Sequence, residues 1–469
     1  MIMENKNHDM RPDSGRRNFL KIAGLGAITG VVAACGGKMI DEKKEKKPAG
    51  SMTYRTNPNT GDTVSLLGYG CMRLPTVNMT SAREDNAEID QEAVNRSVDE
   101  AIKAGVNYFD TSPAYCKGKS EEAMGIALSR HPRDSYYIAT KLSNFAAETW
   151  PKEESVRMFE NSLKYLQTDY IDYLLLHAIG MGGMENFNSR YIDNGMLDYL
   201  KGKKAEGVIR NLGFSYHGDV KVFDTMLAMM DRGEIHWDFV QIQLNYIDWK
   251  HGQEMDGRVI DAEYLYEELA KRGIPAVIME PLLGGRLAGV PAPVAAKMKQ
   301  RRPDDSVASW AFRFAGTPEG VLTVLSGMTF MEHLRDNTAT YSPLEPLSED
   351  EQEFLAVCAE EILQNDTIPC TNCKYCMPCP YGVDIPGVFA HYNKCINNDN
   401  VSRSTSDPHY AQARRAFLVS RQLEIAKGRG ADRCIRCGIC MPHCPQQIKI
   451  PVELGKIDAY TEKLLNGQA

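Results

Sequence analysis

The chain has 469 residues, of which 43% are hydrophobic and 25% are charged, so it has ample material for two or three globular domains. Its net charge of −8 argues against nucleic acid as a partner, because a phosphate-binding surface needs a positive excess. No apolar run reaches the length of a membrane-spanning helix, so we expect a mature protein that does not cross a bilayer.

The first 35 residues have the layout of an export signal. Arg16 and Arg17 precede a short apolar stretch, residues 22–34. The arginine pair followed by Phe-Leu-Lys resembles a twin-arginine signal, and Val-Ala-Ala-Cys ending at Cys35 resembles a bacterial lipobox. These resemblances imply export and a lipid anchor at Cys35, with the protein facing the periplasm or the cell exterior. The alternative is an N-terminal tail that contains two arginines by chance.

Composition divides the remaining chain into three parts. Residues 36–52 are polar, charged and without periodicity, which predicts a flexible tether. Residues 53–345 alternate short apolar runs with amphipathic segments, and residues 346–469 hold the cysteine groups. We therefore expect an α/β domain followed by a mostly helical, ferredoxin-like domain.

Eight short apolar runs in the α/β part read as strands, because each is bounded by Gly, Pro, Asp or Asn. The predicted strands are Leu66–Arg73, Asn107–Thr111, Tyr136–Leu142, Ile171–His177, Ile209–Ser215, Asp238–Asn245, Ala276–Pro281 and Val321–Gly327. The predicted helices include Ser155–Gln167, Met196–Gly207 and Ala262–Gly273. Strands that alternate with helices imply a parallel sheet.

Eight strand–helix units fit a closed (β/α)₈ barrel. The alternative is an open doubly wound sheet, which usually has a Gly-rich phosphate turn after its first strand. Residues 68–73 lack the third glycine and the helix of that turn, which favours the barrel.

Polar residues close several apolar strands, where a barrel places its chemistry. The second strand ends at Asp110, with Tyr115 five residues later; the third ends near Lys141 and the fourth at His177. An ammonium stabilises a phenolate, and a carboxylate holds the ammonium in place. These residue types therefore suit proton transfer to a carbonyl oxygen by Tyr115 while His177 orients the substrate.

Residues 107–115 and 120–125 resemble the signature of the aldo/keto reductase family, and the resemblance covers roughly residues 60–340. It implies a catalytic tetrad of Asp110, Tyr115, Lys141 and His177. It also implies that a nicotinamide nucleotide, NADPH or NADH, is held by Ser215, Gln241, Gly327 and Asn337.

The sequence departs from the family pattern in three places. Cys116 replaces the usual glycine after Tyr115, in a loop that is longer by three residues. Glu280 lies at the end of the seventh predicted strand, where many relatives have Tyr-Ser. After the eighth strand only His333 and Arg335 are candidates to bind a 2′-phosphate, so a preference for NADPH is not predicted.

The cysteine groups at the C-terminus predict two 4Fe–4S clusters, because each group supplies closely spaced thiolates and ends in Cys-Pro. In two-cluster ferredoxins the last cysteine of each run binds the other cluster. On that pattern the first cluster takes Cys370, Cys373, Cys376 and Cys444, and the second takes Cys434, Cys437, Cys440 and Cys379. Zinc is the main alternative, and disulfides are a third. The barrel and this tail together resemble a bacterial group of iron–sulfur aldo/keto reductases.

The sequence therefore predicts an oxidoreductase that acts on a carbonyl or alcohol group of a small molecule. We expect it to be coupled, through the two clusters, to a redox partner. The alternative is a non-catalytic electron carrier or docking subunit with a vestigial barrel. The tetrad favours the enzyme, and the missing phosphate-binding bases favour the carrier. Free nicotinamide nucleotides are expected inside the cell, so an exported barrel would have to carry a bound nucleotide, work without one or be vestigial.

Overall fold

The computed structural model of this protein describes residues 52–77, 88–255, 260–365, 367–402, 404–444, 446 and 448–467. The predicted export signal, Cys35 and the predicted tether up to residue 51 lie outside the described residues. Within the described ranges, no helix has both the length and the apolar composition needed to span a membrane.

Parallel strands close into a barrel, as the sequence predicts. The strands are β1 Tyr54–Thr56, β2 Thr63–Ser65, β3 Leu67–Gly70, β4 Tyr108–Asp110, β5 Tyr137–Leu142, β6 Ile171–Ile179, β7 Ile209–Tyr216, β8 Phe239–Gln243, β9 Ala276–Met279 and β10 Val321–Ser326. Strands β3 to β10 pair in sequence order, and β10 pairs with β3 to complete the circle. Every pair in the barrel is parallel, because a helix or longer connection returns the chain after each strand.

Helices surround the barrel and form most of the C-terminal region. Those of the barrel region are α1 Gln91–Lys103, α2 Ser120–Leu128, α3 Lys152–Tyr165, α4 Gly183–Phe187, α5 Met196–Ala205, α6 Val220–Asp231, α7 Asp248–Met255, α8 Ala262–Lys271, α9 Ala292–Arg301, α10 Val307–Gly316 and α11 Met331–Thr340. They are followed by α12 Glu349–Leu363, α13 Ile385–Asn397, α14 Tyr410–Glu424 and α15 Ile450–Leu465.

The predicted strands lie within two residues of the observed ones at most ends. The largest difference is at the first barrel strand, where Cys71–Arg73 turns into a short 3₁₀ helix instead of continuing the strand. This turn brings Arg73 over the barrel mouth. The antiparallel hairpin of β1 and β2 was not predicted, since each of its strands has only three residues.

The hairpin closes the N-terminal end of the barrel. Val64 of β2 belongs to the same buried cluster as the aromatic side chains that fill the barrel interior. Tyr173 lies at the centre of that cluster, with its ring 5.1 Å from Tyr108 and 5.0 Å from Phe239. Edge-to-face packing of this kind leaves no through-channel, so the C-terminal end of the strands is the open end.

The helix α12 begins at a capping box, in which Ser348 caps the backbone of Glu351 and Glu351 caps Ser348 in return. The same carboxylate receives two bonds from the Arg313 guanidinium, each 2.8 Å long. The buried residues of α12 belong to the core of the barrel; they are Leu355, Cys358, Ala359 and Ile362. Thus α12, which lies beyond the predicted boundary at residue 345, packs on the barrel.

The C-terminal domain has its own small core. Apolar residues of α13 and α15, among them Phe389 and Leu454, pack together against the cysteine loops. A core of this size cannot bury much apolar surface, and small domains commonly rely on a bound metal centre for stability. The predicted architecture, a (β/α)₈ barrel followed by a mostly helical domain, is confirmed.

Candidate functional site

The predicted tetrad meets at the open end of the barrel. Asp110 ends β4, Lys141 lies near the end of β5, and His177 lies in the last part of β6. Tyr115 begins the short 3₁₀ helix that follows β4. All four side chains are buried, with 8% or less of each residue exposed. Parallel strands that end at one face therefore bring these four residues together, as the sequence predicts.

The centre of this site is a buried ion pair. The Lys141 ammonium donates to Asp110 Oδ1 at 2.6 Å and to the carbonyl oxygen of Thr111 at 2.9 Å. Burial raises the pKa of Asp110 and lowers the pKa of Lys141, and each partner opposes the shift of the other. The ammonium lies 4.8 Å from the centre of the Tyr115 ring. A cation at this position favours a negative charge on the phenol oxygen.

A chain of hydroxyl groups holds His177. Its Nδ1 lies 2.6 Å from Ser143 Oγ, which lies 2.8 Å from Ser112 Oγ. Ser112 Oγ accepts a bond from the amide of Ala114 and also lies 3.4 Å from Nδ1. A neutral imidazole that accepts a hydroxyl proton at Nδ1 carries its own proton on Nε2, from which it can donate to a substrate carbonyl.

Rings and a buried arginine fix the orientation of the imidazole. The Tyr115 ring lies 6.1 Å from His177, and the Phe145 ring lies 4.8 Å from it on the exposed side. Arg190, itself buried, donates to the carbonyl oxygen of His177 at 2.6 Å. The neighbouring His217 has its pKa lowered to about 4 by burial, so it is neutral near pH 7.

The predicted nicotinamide contacts lie beside the tetrad. Ser215 and Gln241 are register partners on β7 and β8, and both are buried. Ser215 accepts a bond from the amide of Ala178, and its own hydroxyl proton can still be donated. Gln241 Oε1 is buried without a hydrogen-bond partner among the described residues. A buried acceptor of this kind fits the N–H of a carboxamide, so these residues suit the nicotinamide ring.

The other two predicted nucleotide contacts lie after β10. Asn337 of α11 donates to Ser326 at 2.9 Å and so ties that helix to the end of the strand. Gly327 follows directly, beside the side chain of Arg73. His333 and Arg335 are exposed on α11. These contacts do not test whether the four residues bind a nucleotide, so those roles stay predictions.

Two departures from the family pattern have local explanations. Cys116 and Lys117 adopt left-handed conformations with φ of 50° and 53°, and this turn accommodates the longer loop. The Cys116 thiol lies against the carbonyl oxygens of Cys71 and Met72, so it is a packing group. After β9, the Glu280 carboxylate accepts from the amide of Gly284 and thereby shapes the next turn.

The cysteines of the C-terminal domain surround two adjacent cavities. The first is lined by Cys370, Cys373, Cys376 and Cys444. The second is lined by Cys376, Cys379, Cys434, Cys437 and Cys440. The last cysteine of each run thus lies with the other run, as the two-cluster pattern predicts.

The chemistry of these thiols fits a cationic centre. Burial, reinforced by neighbouring cysteines, raises the pKa of Cys370 to about 12 and the pKa of Cys440 to about 11. Four thiolates in one such cavity would repel one another unless metal ions compensated their charge. The twelve cysteines among the described residues are free thiols, which contradicts the disulfide alternative.

The first cysteine loop lies directly against the barrel mouth. Arg73 donates to the carbonyl oxygen of Thr371 at 2.8 Å. The turn after β9 approaches the same residue so closely that a Cβ on Gly284 would collide with the Thr371 backbone. Arg286, in the same turn, donates to Thr367 Oγ1 at 3.0 Å. The barrel therefore contacts this loop on both sides of Cys370.

Several of these residues were not predicted from the sequence. Ser143 could have been found, because it lies two residues after Lys141 and strand alternation places both on one side. Ser112, Arg190 and Arg286 carry no local signal, since their roles depend on which loops meet.

Known proteins resemble both parts of the chain. A family model described as Aldo/keto reductase family matches residues 66–359, and one described as 4Fe-4S dicluster domain matches residues 369–449. The second match supports iron–sulfur clusters over zinc. An L-galactose dehydrogenase from Arabidopsis thaliana is 28% identical over 322 residues, which cover 65% of this chain and 92% of that protein.

Solved structures share the barrel. An aldo-keto reductase from Bacillus halodurans in its holo form matches with a TM-score of 0.50 and 23% identity, covering 66% of this chain and 96% of that one. An aldo-keto reductase from Klebsiella pneumoniae in complex with NADPH matches with a TM-score of 0.50 and 23% identity, covering 65% and 94%. At 23% identity, these similarities show that the barrel fold is shared.

Proposed function

This chain belongs to the aldo/keto reductase family and ends in a 4Fe-4S dicluster domain, and on that premise we propose that its barrel interconverts a carbonyl and an alcohol while exchanging electrons with the two clusters. The observation that carries the proposal is the contact of Gly284 and Arg73 with Thr371. Thr371 directly follows Cys370, so the first cluster cavity adjoins the face on which the tetrad lies.

This placement suits the exchange of electrons. Barrel enzymes often bind a phosphate at the loops after the seventh and eighth strands. The turn that contacts Thr371 is the loop after the seventh barrel strand, β9. A nucleotide held at these loops would lie next to the first cysteine loop. Cys437, which lines the second cavity, is exposed at the surface, which suits transfer to a separate redox partner.

The tetrad residues have distinct parts in the reaction. His177 donates from Nε2 to the substrate carbonyl and orients it, held in that tautomer by Ser143. Tyr115 gives its proton to the carbonyl oxygen as the alcohol forms, and it takes the proton back in the reverse direction. The ion pair with Asp110 holds the Lys141 ammonium in place, and its positive charge stabilises the phenolate that remains.

The implied cofactors supply the electrons. A bound nicotinamide would supply or accept a hydride next to Ser215 and Gln241, and bound 4Fe–4S clusters would exchange single electrons. We propose NADPH or NADH as the nucleotide, since the Klebsiella pneumoniae neighbour contains NADPH. Both must be tested, because the basic side chains His333 and Arg335 are exposed and their binding of a 2′-phosphate is only a prediction.

The test is turnover by the anaerobically purified protein with a panel of carbonyls and sugars, including L-galactose. The sugars are included because the Arabidopsis thaliana relative is named an L-galactose dehydrogenase. We expect nucleotide-dependent turnover that Tyr115→Phe reduces about 10²–10⁴-fold while nucleotide binding persists. The control is Tyr165→Phe, on the exposed face of α3. Equal turnover by wild type and Tyr115→Phe would contradict the proposal and favour the carrier function.

We also propose that the protein is exported through a twin-arginine signal and anchored by a lipid on Cys35. The support is the pattern of Arg16, Arg17 and Cys35 in the sequence. Replacing both arginines with lysine should keep the protein in the cytoplasm, and Cys35→Ser should abolish labelling by a radioactive fatty acid. Export with both lysines present, or labelling of Cys35→Ser, would contradict this proposal.

A further inference from the structure

The turn after β9 places a partly buried positive charge beside the first cysteine loop. Gly284 lies against Thr371, and Arg286 bonds to Thr367. Thr367 lies three residues before Cys370 and Thr371 lies one residue after it. Two contacts that flank one cysteine fix the position of Arg286 relative to that thiol.

One side of the Arg286 guanidinium has no protein partner. Nη2 is bonded to Thr367, whereas Nη1 is buried and makes no hydrogen bond to the described residues. A buried unsatisfied donor is costly, and native structures usually satisfy it with a bound group. Arg286 bonds to the first cysteine loop without lining the first cavity itself, so its charge would act on that cavity across the loop.

We propose that Arg286 is a tuning residue for the first 4Fe–4S cluster and that its positive charge raises the reduction potential of that cluster. This inference rests on the proposed function in assuming that the cluster is present. One-electron reduction adds one negative charge to a cluster, and an adjacent cation stabilises that charge. Hydrogen bonds and net charge around the sulfurs are known controls of cluster potentials.

The inference has a consequence for the direction of electron flow. The first cysteine loop contacts the barrel, and the second cavity is lined by the exposed Cys437. A cation beside the first cysteine loop would make the cluster nearest the barrel a better electron acceptor than the same cluster without Arg286. The barrel itself, through the turn after β9, would thus set the driving force for electron transfer.

Asp248 faces the same arginine and opposes its charge. Its carboxylate accepts bonds from Gln243 and Asn245, each 2.6 Å long, and it favours the charged form of Arg286. Two substitutions that each remove one charge should therefore move the reduction potential of the first cluster in opposite directions. Arg286→Gln removes a positive charge, and Asp248→Asn removes a negative one.

The test is a potentiometric titration of the dithionite-reducible clusters, followed by electron paramagnetic resonance, on the full-length protein. At a fixed potential, Arg286→Gln should lower the reduced-to-oxidised ratio of one cluster about tenfold, which for a one-electron couple equals 59 mV. Asp248→Asn should raise that ratio for the same cluster. The control is Arg301→Gln, which breaks an exposed ion pair with Asp350 and should shift neither cluster.

Unchanged potentials in Arg286→Gln at full iron content would overturn the inference. If that variant loses iron, Asp248→Asn decides, and unshifted potentials there would overturn it as well. These titrations use no nicotinamide and no substrate, so they are independent of barrel activity. A wild-type protein that binds no iron would overturn the proposed coupling and this inference together, whereas loaded clusters with unshifted potentials would overturn the inference alone.

Discussion

The hydroxyl oxygen of Ser143 lies 2.6 Å from Nδ1 of His177, and Ser112 continues this contact 2.8 Å further. If these hydroxyls donate toward the imidazole, its proton lies on Nε2. A neutral His177 that donates from Nε2 is the form that can orient a carbonyl. The proposed role of His177 would then depend on Ser143, which takes no direct part in the proposed proton transfer.

Ser143→Ala should lower kcat about tenfold with a smaller change in KM, because the loss of one hydrogen bond frees the other tautomer. Ser143→Thr keeps the hydroxyl and should retain most of the activity. Nitrogen-15 resonances of His177 should show the Nε2–H tautomer in wild type and a mixture in Ser143→Ala. Ser129→Ala, at an exposed hydroxyl, is the control. A wild-type rate and an unmixed tautomer in Ser143→Ala would rule out this role.

Removing one partner of the Lys141–Asp110 pair should lower the free energy of unfolding more than replacing both partners with neutral side chains. Lys141→Met leaves a buried carboxylate without its cation and should lower the free energy of unfolding by about 3–5 kcal/mol. The double variant Asp110→Asn with Lys141→Met should lose less than the sum of the two single variants. Anaerobic denaturant titrations measure both. The exposed Arg301–Asp350 pair is the comparison, with an expected loss below about 1 kcal/mol. Additive losses in the double variant would contradict the coupling.

Stability should fall as the pH rises through the titration of Glu121. This buried carboxyl accepts from Thr140 at 2.5 Å, and burial raises its pKa to about 7 from an unfolded value of 4.5. A raised carboxyl pKa means that the folded state holds the proton more tightly. The stability it contributes is therefore complete below pH 4.5 and is lost as the pH rises to about 7.

Glu121→Gln should abolish this part of the pH dependence, which is on the order of 3 kcal/mol. The measurement is the free energy of unfolding of both proteins at pH 5 and pH 8. The free energy of unfolding of the variant minus that of the wild type should be larger at pH 8 than at pH 5. An identical pH dependence in the two proteins would show that Glu121 does not titrate in this range.

Gly284 and Gly285 offer a matched pair of substitutions at the junction. Both have positive φ, so alanine costs backbone strain at either position. Only at Gly284 would the new Cβ also collide with Thr371, since Gly285 has open space. Gly284→Ala should slow cluster reduction by barrel substrates while both clusters remain loaded, and Gly285→Ala should not. Equal rates in the two variants would argue against electron transfer across this junction.

The barrel could be predicted from the sequence because each strand is a compact apolar run that ends at a polar residue. Asp110, Lys141 and His177 close such runs, and the structure brings their side chains to one face. The spacing of the cysteines likewise predicts the two groups that line the cavities.

The junction could not be predicted in this way. Thr371 and Gly284 are 87 positions apart, and nothing local in either segment indicates that they touch. The same holds for Arg286, whose interpretation as a solvent-exposed side chain would have been reasonable from the sequence alone. The β1–β2 hairpin was missed because three-residue strands give too few positions for an alternating pattern.

The most direct test of the account is the electron paramagnetic resonance spectrum of the anaerobic protein after addition of NADPH or NADH, compared with dithionite. The account predicts cluster signals with dithionite and with at least one nucleotide, because the first cluster cavity adjoins the barrel mouth. Signals with dithionite alone, in a protein that binds both nucleotides, would contradict the proposed coupling of barrel and clusters.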